Sequence, residues 1–179
     1  KENCIIMSVN IGTVNGLKET FLDNDNMTDR IFGSPIHQLS VLFKDKNSSV
    51  MEFMYNSANI FLINHEIGHL IQYNEDSERR LSESIEDVND FNIQKHIFEV
   101  DSDVFSAMKL SQDIYHIWEG FDETYNSEGF LYDLISLALA AIGVFKLFNL
   151  NAESGIYYKE KSHPYVAVRY IIILEIMVD

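Results

Sequence analysis

Residues 57–72 read SANIFLINHEIGHLIQ, and the spacing within this stretch decides how the chain is built. Ala58, Phe61, Leu62, His65, Gly68, His69 and Gln72 recur at steps of three and four, the period of one helix face, with Asn56 or Ser57 available as the N-cap. On that helix the segment His65-Glu66-Ile67-Gly68-His69 has the form H-E-x-x-H, so both imidazoles lie on one side, a turn apart. Two such nitrogens can meet a single Zn²⁺. Glu66, one residue further round, is suited to act as a base toward water in an open coordination position.

Three protein ligands plus water is the usual count for a catalytic zinc, so a third donor is needed. The extended pattern H-E-x-x-H-x-x-G-x-x-H is excluded, because Gln72 stands at the glycine and Glu75 at the last histidine. Further on, residues 98–103 read FEVDSD in a stretch of helical spacing. Glu99 and Asp103 are four apart on one face, so Glu99 can ligate while Asp103 orients a ligating histidine. In isolation such an acidic run reads as a solvated face. Downstream of H-E-x-x-H it becomes a ligand candidate.

Working outward, residues 4–9 form a β-branched run and residues 38–43 (QLSVLF) a second possible strand, separated by Gly12, Gly16 and the 23–26 cluster DNDN, which has turn chemistry. The expected fold class is therefore α+β, predominantly helical, with a small N-terminal sheet. Its edge is the natural place for an extended peptide to pair. Residues 74–90 carry seven acids against Arg79 and Arg80 and read as a solvated connector, a lid or a docking surface for a basic partner. Further helices are expected over 91–111, 127–149 and 166–177, the last opened by Pro164. One domain over 1–179 follows: a partly β layer at 1–56, metal-binding helices at 57–111 and C-terminal helices at 127–179.

Composition narrows the function. Thirteen Lys+Arg against 28 Asp+Glu give a net charge of -15, which repels phosphate backbones, so nucleic acid is not an expected partner. The longest apolar run, 134–145, is about twelve residues against the ~20 that span a bilayer, so no membrane span is expected. The single cysteine, Cys4, cannot form an internal disulfide and there is no signal-peptide pattern, which together point to the cytoplasm.

H-E-x-x-H followed by E-x-x-x-D resembles the glutamate-zinc metallopeptidases, the gluzincins. More narrowly, Phe98-Glu99-Val100-Asp101-Ser102-Asp103-Val104-Phe105-Ser106-Ala107 is similar to the E-x-E-A-D-x-x-A stretch of the family containing the prenyl-protein membrane protease and its bacterial heat-shock relatives, with Asp101 and Ser102 departing from Glu-Ala. Residues 162–169, SHPYVAVR, are similar to that family's T-H-P-x-x-x-x-R segment, and the motif order is kept. The phage-exclusion peptidases are a second group that the chain resembles. The resemblance covers about a quarter of the chain. It implies a zincin-like metallopeptidase domain and a zinc-dependent endopeptidase acting on a protein or peptide substrate, in a phage-exclusion or stress role. It further implies His65, His69 and Glu99 as metal ligands, Glu66 as general base, His163 as donor to the tetrahedral oxyanion, and Arg169 as the group holding carboxylates of site or substrate.

Two alternatives stand beside this reading. A metal amidase or deformylase-like hydrolase would take a cysteine as third ligand, for which only Cys4 is available. A non-catalytic zinc-binding regulatory domain would need no Glu66, since that carboxylate adds nothing to metal affinity.

Overall fold

The computed structural model describes residues 11–23, 43, 49–75, 93–121, 127–148 and 164–179. Five helices account for nearly all of them: α1 (Ile11–Phe21), α2 (Val50–Glu75), α3 (Ile93–Glu119), α4 (Glu128–Phe148) and α5 (Val166–Val178).

Among the described residues there is no strand, so the expected α+β class with an N-terminal sheet is corrected to an all-helical architecture. The reason is visible in α1. Gly12 and Gly16 have the chemistry of turn formers, yet Val14, Leu17 and Phe21 repeat at steps of three and four. Leu17 and Phe21 are buried by that period. Gly16 faces open space and the Thr20 hydroxyl donates back to its carbonyl at 2.7 Å, so the glycine is only a weak spot in a helix. Phe43, the end of the second expected strand, is helical and buried in the core; the expected strand at 4–9 lies outside the described residues.

α2 begins seven residues before the expected boundary at Ser57. Ser49 and Glu52 form a capping box: the Glu52 amide donates to Ser49 Oγ at 3.0 Å, and the Ser49 amide donates to the Glu52 carboxylate at 2.8 Å. Ser57 itself is buried inside the helix. α3 likewise runs past residue 111, because Leu110, Ile114 and Trp118 continue the apolar stripe. Trp118 Nε1 then donates to the Ser127 carbonyl at 3.1 Å, tying the end of α3 to the start of α4, where the Phe130 amide donates to Ser127 Oγ at 3.3 Å.

α2 and α3 are antiparallel partners, since His65 meets Asp103 while His69 meets Glu99. α4 packs against both and α5 against α3 and α4, enclosing Met54, Phe61, Leu110, Leu134, Ile142 and Ile173. α4 holds the longest apolar run of the chain, and its Leu134, Leu137, Ala138, Ala141 and Ile142 are spent in this core. No described helix is long and apolar enough to cross a membrane. Gly68 permits the closest approach of the α2–α3 pair: a Cβ there would lie 3.0 Å from Ser102 Cα and 3.1 Å from Ser102 Cβ.

Candidate metal centre

The crossing at Gly68 brings the histidine face of α2 onto the acidic face of α3. His65 Nε2 and His69 Nε2 are 3.0 Å apart, with the rings edge to face. Glu99 presents one oxygen to each ring, Oε2 at 3.6 Å from His65 Nε2 and Oε1 at 3.5 Å from His69 Nε2. One donor atom from each of His65, His69 and Glu99 falls within 4.8 Å of the others, the only such three-residue group of metal-binding side chains among the described residues. Donors of a tetrahedral zinc lie about 3.4 Å apart, and each imidazole has a Glu99 oxygen near that distance, a different oxygen for each ring. The donor set, two imidazoles and a carboxylate, also suits a zinc-class ion. His65 is nearly enclosed and backed by Phe61, whereas the His69 side chain is 31% exposed, so solvent reaches the group from that side.

Behind the three donors lies an ionic frame. Asp103 is fully buried and takes two hydrogen bonds from Arg169, from Nε at 2.5 Å and from Nη2 at 2.9 Å. The third nitrogen of that guanidinium, Nη1, lies 2.7 Å from Glu99 Oε2. Arg169, on the first turns of α5, therefore clamps both carboxylates of α3. Asp103 Oδ1 also lies 3.0 Å from His65 Nδ1, off the straight N–H direction, so that contact is mainly electrostatic. It still favours a hydrogen on Nδ1 and leaves Nε2 with its lone pair toward Glu99 and His69.

The charges are consistent with a cation site. Two carboxylates against one guanidinium leave net negative charge around the donors. At His69 the hydrogen bond to Glu99 raises the imidazole pKa above its ordinary value, against burial, which lowers it. At Arg169 burial works against the charged form, but Asp103 and Glu99 outweigh it and the pKa moves up. Glu66 is partly buried on the turn between the histidines, and its charge adds to the upward shift of His69.

Among the residues singled out in the sequence, the structure thus brings together His65, His69, Glu99, Asp103 and Arg169, with Glu66 on the adjoining turn. His163 and Cys4 lie outside the described residues. Three positions that touch the group carry no role in the sequence reading. Gly68 sets the helix approach, while Gln72 and Ser102 stand behind His69, with Gln72 Oε1 at 3.2 Å and Ser102 Oγ at 3.0 Å from its Nδ1. The available signal was helical spacing, since Gln72 is three residues beyond His69 and Ser102 three beyond Glu99.

A cleft of about 520 Å³ between α2 and α3 is lined by residues such as Phe53, Ile60, Leu110 and Ile114 and includes none of the candidate metal-centre side chains. A smaller one of about 290 Å³ is lined by Val100, Asp101, Tyr165 and Val168, next in sequence to Glu99 or near Arg169. Compared with protein-family models, with curated proteins and with solved structures, the chain has no significant match to any.

Proposed function

We propose that this chain is a zinc-dependent endopeptidase acting on protein or peptide substrates. The observation that carries the reading is the convergence of His65 Nε2, His69 Nε2 and the Glu99 carboxylate from two helices, a donor set that suits one zinc-class ion. Glu66 adds what a purely structural zinc site does not require, a partly buried acid on the turn between the two histidines. When bound, a zinc-class ion supplies positive charge that polarises the scissile carbonyl and acidifies water. Glu66 accepts the proton of the attacking water and delivers it to the leaving amine nitrogen. Asp103 and Arg169 keep His65 and Glu99 aimed at a common point, so little reorganisation is needed as charge develops. His163 enters only through the resemblance of residues 162–169, as a donor to the oxyanion.

Metal analysis combined with cleavage assays tests the reading. The purified chain should hold about one zinc, and His65→Ala, His69→Ala and Glu99→Ala should each lose it. Glu66→Gln should keep the metal and lose cleavage of an unfolded protein substrate by about 10²–10⁴-fold. Zinc retained by all three ligand variants would overturn the metal centre. Equal cleavage by Glu66→Gln and the parent would overturn the catalytic assignment, and a zinc-loaded parent that cleaves nothing would favour the regulatory alternative.

A further inference from the structure

Gln72 stands where the three-histidine pattern has glycine, and Ser102 where the prenyl-protease region has alanine. These two departures meet at the back of His69. Gln72 Nε2 donates to the Phe98 carbonyl at 2.9 Å, and Ser102 Oγ lies 3.4 Å from Gln72 Oε1 and 3.0 Å from His69 Nδ1. Ser102 is fully buried, so its hydroxyl has to find partners here and not in water.

These contacts have one consistent direction. A backbone carbonyl can only accept, so the Phe98 contact fixes the Gln72 amide with nitrogen toward α3; the reverse orientation would press two acceptors together. Gln72 Oε1 is then turned toward His69 Nδ1, 3.2 Å away, and an amide oxygen also only accepts. The Nδ1 hydrogen can go to that oxygen directly, or to Ser102 Oγ while the serine hydroxyl donates to Gln72. Either way Nδ1 carries the hydrogen. Were Ser102 instead to donate to Nδ1, the bare ring nitrogen would face the amide oxygen, lone pair against lone pair.

We propose that Gln72 and Ser102 are positioning residues that hold His69 in its Nδ1–H tautomer and thereby set the affinity of the centre for zinc. Nε2 then points at His65 Nε2 and a Glu99 oxygen, both acceptors, so it stays bare only when a cation lies between them. Because Phe98 immediately precedes Glu99, the Gln72 amide also ties the ligand-bearing turn of α2 to that of α3. Two bare Nε2 atoms 3.0 Å apart repel each other unless a cation or proton lies between them, so the network favours a bound ion over the bare pair. The affinity part rests on the zinc reading above; the tautomer part does not.

Long-range ¹H–¹⁵N spectra of the metal-free, ¹⁵N-labelled protein, taken at a pH where the imidazole is neutral, read the tautomer of His69 directly, with assignment by its loss in His69→Gln. The parent should show a larger Nδ1–H share than Gln72→Leu and Ser102→Ala, in each of which the Nε2–H form should gain. Competition against a chromophoric chelator should show zinc Kd rising about 10–100-fold in both variants, the range for loss of a ligand-orienting partner. An Nδ1–H share no larger in the parent than in both variants overturns the network. Unchanged zinc Kd in both variants overturns its effect on affinity. A parent that takes up no zinc defeats the metal reading, while the spectra still decide the tautomer.

Discussion

Replacing Arg169 by methionine removes the charge that holds the centre together while keeping much of the side-chain volume. Asp103 is 0% exposed and Arg169 8%, so neither group can turn to solvent for compensation and surface screening does not apply. The substitution deletes two hydrogen bonds to Asp103, at 2.5 and 2.9 Å, and a 2.7 Å contact to Glu99. Charge-assisted bonds of this kind contribute about 1.5–3 kcal/mol each, but the cost of burying the ions offsets much of the sum. The net loss expected for stranding a buried carboxylate is about 3–5 kcal/mol. For a chain of this size that lowers the thermal midpoint by about 6–20 °C. Urea unfolding of the metal-free protein measures it, and a cycle with Asp103→Asn isolates the pair. The double variant should be less destabilised than the sum of the singles, because a neutral amide at position 103 no longer needs a cation. Saturating zinc should narrow the deficit of Arg169→Met, since a dication beside Glu99 replaces part of the lost charge. A loss below about 1 kcal/mol, or strict additivity in the cycle, would show that Arg169 is not the partner of a buried carboxylate.

Gly68→Ala should cost about 1–3 kcal/mol and weaken zinc binding together, because the new Cβ meets Ser102 Cα at 3.0 Å and must push α3 away from α2; unchanged melting and unchanged zinc uptake would contradict the close crossing. In the metal-free protein His69 binds its proton more tightly when folded, owing chiefly to its hydrogen bond with Glu99, so its contribution to stability is fully present below about pH 6.5 and is lost as pH rises through the folded-state value. Urea titrations across that window should show this decline, flattened in His69→Gln, and an equal slope in both proteins would refute the assignment. Zinc affinity should run the opposite way and weaken as pH falls, since the ion and the proton compete for the same nitrogen. Ser49→Ala should lower stability by about 0.5–2 kcal/mol without changing zinc stoichiometry, as measured by urea unfolding and metal analysis, because the capping box lies about four turns from His65; a loss of zinc would contradict that separation.

The centre was more legible in the sequence than the fold. His65 and His69 are linked by spacing within one helix, and Glu99 with Asp103 by spacing within another, so each pair could be set on a face before any packing was known. What the sequence alone could not supply was the register between the helices, which depends on Gly68 meeting Ser102. The expected sheet failed for a related reason. Two glycines and an asparagine-rich cluster weigh heavily as turn chemistry, yet the burial of Leu17 and Phe21 on one face outweighs them, since packing of an apolar stripe stabilises a short helix more than one glycine weakens it. The start of α2 was within reach: Ser49-Val50-Met51-Glu52 has the S-x-x-E form, but the period of the histidine stretch alone puts the boundary near residue 57.

Losing the expected sheet changes how a substrate must be held. Pairing an extended peptide along a strand edge needs a row of free amide and carbonyl groups, and the helices around this centre have spent theirs internally. Among the described residues the candidate metal donors, the proton-transfer candidate and the ionic frame are all side chains of α2, α3 and α5. Specificity in the proposed reaction therefore has to come from side-chain contacts near the exposed edge of His69, or from chain outside the described residues. That requirement also explains the cost invested behind the donors. A backbone cradle holds its geometry through many hydrogen bonds, whereas three long side chains keep theirs only when each is locked, and here Arg169 locks Glu99, Asp103 backs His65, and Gln72 with Ser102 backs His69. Arg169 reaches from α5 to α3, Asp103 and Ser102 from α3 to α2, so folding the bundle and assembling the centre are a single event, and a variant that loosens any crossing should be read out in zinc affinity before it is read out in helix content.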